Sequence, residues 1–147
     1  MDLAIRPALL ADVPQLLALY KLLDTEPEPE MAIEQARARF RDLASRTGHR
    51  IYVAETGGQV VGTFALILVG GLSHGARDSG IVEDVCVAPG MQGTGIGRRM
   101  MRFAMELCAS GGCYKLVLSS HVNRANAHRF YESLGFRKHG FSFLIEG

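Results

Sequence analysis

A β-branched run that closes on Pro-Gly, passes a cluster of glycines and opens straight into an amphipathic helix leaves little choice of local architecture. Residues 79–108 begin Ser79-Gly80-Ile81-Val82-Glu83-Asp84-Val85-Cys86-Val87 and then Ala88-Pro89-Gly90-Met91-Gln92-Gly93-Thr94-Gly95-Ile96-Gly97-Arg98. The first run reads as a strand, because its Val and Ile suit a pleated surface and Pro89-Gly90 ends the ladder. Ile96, Met100, Met101, Ala104, Leu107 and Cys108 then recur at helical spacing, with Arg98, Arg99, Arg102 and Glu106 on the other face. The glycines therefore sit where a helix begins. A helix start leaves backbone N–H groups without partners, and glycine lets an anion approach them without a Cβ clash, so the turn suits phosphate.

Spacing decides which phosphate ligand. A G-x-G-x-x-G fingerprint fails, since the third glycine slot is Arg98 counted from Gly93 and Met100 counted from Gly95. A Walker loop fails for want of a Gly-Lys dipeptide. What remains is Q-x-x-G-x-G, realised as Gln92-Gly93-Thr94-Gly95-Ile96-Gly97 after a Glu-bearing strand. This segment resembles the acetyl-CoA signature of the GNAT superfamily of N-acyltransferases. The resemblance implies that the amides of Gln92, Gly93, Thr94, Gly95, Ile96, Gly97 and Arg98 hold the coenzyme pyrophosphate. The Arg98 side chain and the Thr94 hydroxyl are further donors. It also implies that the backbone of Val85, Cys86 and Val87 pairs with the pantetheine arm.

Around this unit the chain reads in order as a strand at 3–7, a helix capped by Asp12 with stripe Val13, Leu16, Leu17, Leu19, Tyr20 and Leu23, and a Pro-punctuated acidic turn at 25–30. The turn reads either as a lid over an acceptor or as a solvated connector. A second helix follows at 31–46, then strands at 50–55 and 59–68 joined by Thr56-Gly57-Gly58, and a glycine-rich loop at 70–78. After the central helix, Gly111-Gly112 supplies a left-handed stop. A strand at 113–119, a helix at 123–134 and a final strand at 141–145 complete the chain. The order predicts an α/β (α+β) fold, a central mixed sheet with helices on both faces, which is also the order of the GNAT fold. The expectation is one domain over residues 1–147.

Two side chains carry the expected chemistry. Glu83 is a carboxylate in an apolar strand, costly unless used or paired, and burial would raise its pKa toward a useful base. Resemblance assigns a Glu at this place to deprotonation of the amine; the alternative is an ion pair with Arg77 or Arg124. Strand alternation puts Asp84 on the opposite face unless a bulge intervenes. Ala127-His128-Arg129-Phe130-Tyr131-Glu132-Ser133-Leu134-Gly135-Phe136 resembles the A-x-x-F-Y-x-x-x-G-F segment of the family. There the tyrosine, here Tyr131, reprotonates the coenzyme sulfur. Arg124 stands where the family often has Asn, and Asn126, off register, is the nearest substitute for its coenzyme contact. His74, His121 and His128 are weaker candidates, and Cys86 reads as a small core residue rather than a nucleophile.

The net charge of +1 gives no general attraction to nucleic acid or an anionic membrane. No apolar run is long enough to cross a bilayer, and the start Met1-Asp2-Leu3-Ala4 has no signal-peptide pattern. Three cysteines without a C-x-x-C pair suit a reducing, cytoplasmic setting and no metal is expected.

The acceptor is less legible. Residues 80–84 with 112–118 resemble glucosamine-6-phosphate N-acetyltransferases, but Ser119-Ser120 stands where those tend to have Asp-Cys. The 127–143 segment resembles aminoalkylphosphonate N-acetyltransferases. Together these imply an acetyl-CoA-dependent enzyme for a small amine bearing phosphate or phosphonate. The alternatives are an idle acetyl-CoA sensor or a protein-lysine or antibiotic acetyltransferase. A homodimer through the C-terminal strand is common among such look-alikes.

Overall fold

The computed structural model describes residues 1–23, 28–120 and 124–147. The chain divides into two units, Met1–Val117 and Leu118–Gly147.

The first unit carries strands β1 (Ala4–Pro7), β2 (His49–Thr56), β3 (Gln59–Val69) and β4 (Ser79–Val87), with β5 (Lys115–Leu118) beginning at its end. The sheet order is β1-β2-β3-β4-β5, antiparallel from β1 through β4, within a mixed sheet flanked by helices. Helices α1 (Val13–Tyr20), α2 (Ile33–Ala44) and α4 (Ile96–Ser110) fill the connections, with a four-residue turn, α3 (Ser73–Ala76), in which His74, Gly75 and Ala76 take positive φ. The β2–β3 hairpin turns through Gly57 and Gly58 at φ +57° and +78°, the pair of positive values a tight right-twisted hairpin requires.

Alternation along β3 sorts the helices onto two faces. A Cβ at Gly62 would sit 3.0 Å from Met100 Sδ and 3.2 Å from Ile96 Cγ2, so Gly62 faces α4 at close approach. Its neighbour Thr63 faces the other way, toward Tyr20 of α1. On the α4 side Ile96, Met100, Met101 and Ala104 are wholly buried, the apolar stripe read from the sequence. On the α1 side Leu16, Leu19, Val53, Val60 and Cys86 form one cluster, which settles Cys86 as a core residue.

Several expectations need correction. Asp12 does not cap α1 through its side chain. Its carboxylate accepts from the Leu9 N–H at 2.7 Å and from Arg6 Nη1 and Nη2 at 2.7 and 3.0 Å, because Arg6 on β1 is a stronger partner than a helix amide. Strand β5 starts at Lys115 rather than Cys113, since Cys113 is spent on the stop of α4.

The second unit holds α5 (Ala125–Ser133), whose start lies two residues after the expected one; Asn123 and His121 fall outside the described residues, as do residues 24–27 of the acidic turn. The final strand is absent: residues 141–145 form no ladder, with Phe141, Phe143 and Ile145 each more than nine-tenths exposed. A β-prone sequence becomes a strand where another backbone edge pairs with it, and none does so here among the described residues.

Candidate active site

The centre of the first unit is an irregularity in β4. Thr63 pairs with Cys86 and Ala65 with Glu83, so the single residue Phe64 stands opposite both Asp84 and Val85. That is a β-bulge, and Asp84 occupies it at φ +54°, a left-handed value that Asp tolerates better than most residues.

The extra residue changes which side chains share a face. Gly80 faces α4, since a Cβ there would meet Cys108 Sγ, and alternation then puts Glu83 on the α1 face. Regular pairing would return Asp84 and Cys86 to the α4 face. Instead Cys86 packs against Leu16 and Leu19, and the charge of Asp84 acts on Tyr20 of α1. The strand is not regular here: the bulge upsets the alternation that would set Asp84 on the face opposite Glu83.

Both carboxylates are exposed, so the picture of Glu83 sunk in an apolar strand is also corrected. Its carboxyl is nonetheless pushed above the usual carboxylate range, first by partial burial and then by the neighbouring charge of Asp84. Among the described residues Glu83 makes no ion pair, with Arg77 or any other.

Past Val87 the chain makes a 3-10 turn at Pro89–Met91 and reaches α4 through Gln92, Gly93, Thr94 and Gly95, all exposed. Gly93 and Gly95 take φ +78° and +90°, and a Cβ at either would meet no heavy atom within 4 Å. The backbone there borders open space. The first helical bond runs from the Arg99 N–H to Gly95 O at 3.1 Å, which leaves the Ile96 and Gly97 amides with no acceptor inside the helix. Two side chains brace the turn: Thr94 Oγ1 donates to Met91 O at 2.5 Å and Gln92 Nε2 to Val87 O at 3.4 Å. The Thr94 hydroxyl, expected to reach phosphate, thus holds the loop in this structure. Val85 and Val87 are half-buried on either side of Cys86, and Arg98 is half-buried in the first turn of α4.

Tyr20 is the residue that sequence reasoning passed over as part of an apolar stripe. Its phenol bonds to the Thr63 side chain and lies within the field of Asp84 and Cys86, and burial pushes it up to about 12. A tyrosine on a core-facing stripe needs a partner for its hydroxyl, and that rule was the available signal.

In the second unit, Tyr131 is half-buried on α5, tilted against Phe130 at 5.2 Å and edge-on to Phe136 at 5.9 Å between ring centres. The Phe136 N–H donates to Tyr131 O at 3.2 Å, so the helix stop at Gly135 wraps the aromatic group. Asn126 Oδ1 accepts from Arg129, and the Arg124 carbonyl accepts from the His128 N–H. Glu83 and Tyr131 belong to different units. Among the described residues no group of three or more His, Cys, Asp or Glu is arranged to hold a metal, and no helix is long and apolar enough to cross a membrane.

Comparison with known proteins places this arrangement. The profile of the Acetyltransferase (GNAT) family matches residues 16–136. A glucosamine 6-phosphate N-acetyltransferase of Trypanosoma brucei brucei is 33% identical over 117 residues, covering 78% of this chain and 76% of that protein. An aminoalkylphosphonate N-acetyltransferase of Salmonella typhimurium is 34% identical over 86 residues, 58% of this chain and 55% of that protein. The crystal structure of a Trypanosoma brucei acetyltransferase superposes with a TM-score of 0.85 at 30% identity, over 99% of each chain.

Proposed function

Because the chain belongs to the GNAT family of N-acetyltransferases, we propose that it moves an acetyl group from acetyl-CoA to the primary amine of a small phosphate- or phosphonate-bearing acceptor. The observation that carries this reading is the carboxylate of Glu83, which makes no ion pair among the described residues and stands just before the bulge on β4, the strand that leads through Pro89–Met91 to the glycine turn.

Acetyl-CoA supplies an activated thioester. The turn from Gln92 to Arg98 suits its pyrophosphate: Gly93 and Gly95 leave the backbone open, and the positive end of α4 points outward there. The backbone of Val85 to Val87 pairs with the pantetheine arm, and Asn126 is a further contact for the coenzyme. Glu83, its carboxyl raised, takes the proton from the acceptor ammonium, directly or through water, so that the amine attacks as a neutral nucleophile. Cys86 is buried in the core, which favours direct attack over an acyl-enzyme. Tyr131 returns a proton to the departing thiolate. The preference for a phosphorylated or phosphonate amine rests on the two named relatives, which act on acceptors of that kind.

The test is release of free thiol from acetyl-CoA across glucosamine 6-phosphate, aminoalkylphosphonates, polyamines, aminoglycosides and lysine peptides. Turnover concentrated on the phosphorylated or phosphonate amines is the expected result. Turnover confined to peptides or aminoglycosides would reject the acceptor class, and no thiol release with any amine would reject the enzyme reading.

A further inference from the structure

Helix α4 ends in a form that sets two thiols against each other. Gly112 takes φ +75°, its N–H donates to Ala109 O at 3.2 Å, and the Cys113 N–H donates to Cys108 O at 2.9 Å. These are the paired bonds of a Schellman stop, in which the side chain three residues from the helix end touches the one just past the left-handed glycine. That contact is ordinarily apolar. Here both positions are cysteine, and the two thiols lie close enough to act on each other.

Three further observations bear on what the pair can do. Backbones joined by a 2.9 Å bond stand within the roughly 4.4–6.8 Å Cα separation that a disulfide spans. Both sulfurs are free thiols, Cys108 buried and Cys113 half-exposed, so one is reachable from solvent and the other waits behind it. Cys108 is also held in place by the sheet, since a Cβ at Gly80 would fall 2.4 Å from its Sγ. Cys86 stands apart from the pair, in the cluster with Leu16 and Leu19.

We propose that Cys108 and Cys113 form a dithiol redox site that closes to an intramolecular disulfide on meeting a low-molecular-weight disulfide such as oxidised glutathione. The Cys113 thiolate attacks one glutathione sulfur, the S–S bond breaks, and one glutathione thiolate leaves. Cys108 then gives its proton to solvent base and attacks Cys113 Sγ, expelling the second glutathione thiolate. The pair loses two electrons and two protons, and the oxidant becomes two thiols. Closure ties the stop of α4 to the residue before Tyr114 and Lys115, at the other end of the helix from the glycine turn. It is therefore independent of the catalytic reading.

The test incubates the full-length chain in glutathione redox buffers, blocks remaining thiols, and reads intact mass and peptide maps. The expected result is loss of two of the three titratable thiols, a mass lower by two hydrogens, a bridged Cys108–Cys113 peptide, and reversal by reductant. Cys113→Ser, a change at a half-exposed position, should retain the Cys108 thiol under the same treatment. Three thiols still titrating after exposure to oxidised glutathione, a lasting glutathione adduct on Cys113, or bridges only between chains would each overturn the proposal.

Discussion

Glu83 and Asp84 are adjacent carboxylates whose charges oppose each other, and that opposition makes their roles separable by experiment. Partial burial and then the Asp84 charge raise the Glu83 carboxyl, so it ionises at a higher pH than an ordinary glutamate. A base works in its ionised form, so the rate should rise with pH through that raised value and level off above it. Glu83→Gln should lower kcat/KM on the order of a hundredfold or more and remove this acid limb from the pH profile. Asp84→Asn deletes the opposing charge and should move the limb to lower pH without removing it. A limb that stays in place in Asp84→Asn would show that Asp84 does not act on the base. Residue type alone, a carboxylate within an apolar run, singles out Glu83, and the same run leaves room for a bulge. The sequence could not show Asp84 in the left-handed region, because Asp enters that region by local tolerance rather than by any visible pattern.

At the scale of elements, the strand, turn and helix from 79 to 110 were readable because three independent signals agree there: β-branched residues, a glycine run, and a 3.6-residue apolar period. Their consequence can be tested at the turn. Gly95 sits at φ +90° beside open space, so Gly95→Glu adds strain, bulk and negative charge where the proposal puts pyrophosphate. Titration calorimetry with acetyl-CoA should find binding abolished, while circular dichroism finds the helices retained. Unchanged affinity would remove the phosphate reading. At the other end of the strand, Gly80→Ala pushes a methyl into Cys108 Sγ and should cost about 1–3 kcal/mol in denaturant unfolding. Cys108→Ala in the same chain should recover part of that loss, which distinguishes crowding from a general strand effect. The final strand was misread for a physical reason. Strand propensity in Phe141, Phe143 and Ile145 is a preference for a paired, half-covered surface, and pairing is a property of the neighbour rather than of the segment.

For the molecule as a whole, the order of elements from β1 to α5 followed from the sequence apart from the short α3, while the final strand and the ties between distant segments did not. Arg6 joins β1 to β2 through Glu55 at 2.6 Å and to the approach to α1 through Asp12, and no local pattern announces that three-way link. The Arg6 guanidinium holds the Asp12 carboxyl below its usual range, with the Leu9 N–H assisting. A depressed carboxyl stabilises the fold above its unfolded pKa and gives that stability up as pH falls through the folded value. Asp12→Asn should therefore destabilise the chain by about 2–4 kcal/mol at neutral pH and flatten its loss of stability in acid, as followed by denaturant unfolding at pH 7 and pH 3. A variant that matches the parent at pH 7 would show that the link is not needed. The bulge has a consequence of a different sort. Because the Glu83 and Cys86 side chains share a face only by virtue of one surplus residue, the arrangement is written in the length of β4 as much as in its letters. Substitution can tune it, but removing one residue between Val82 and Cys86 would restore plain alternation and turn one end of the strand over. A chain so built tolerates drift in spelling and forbids change in count.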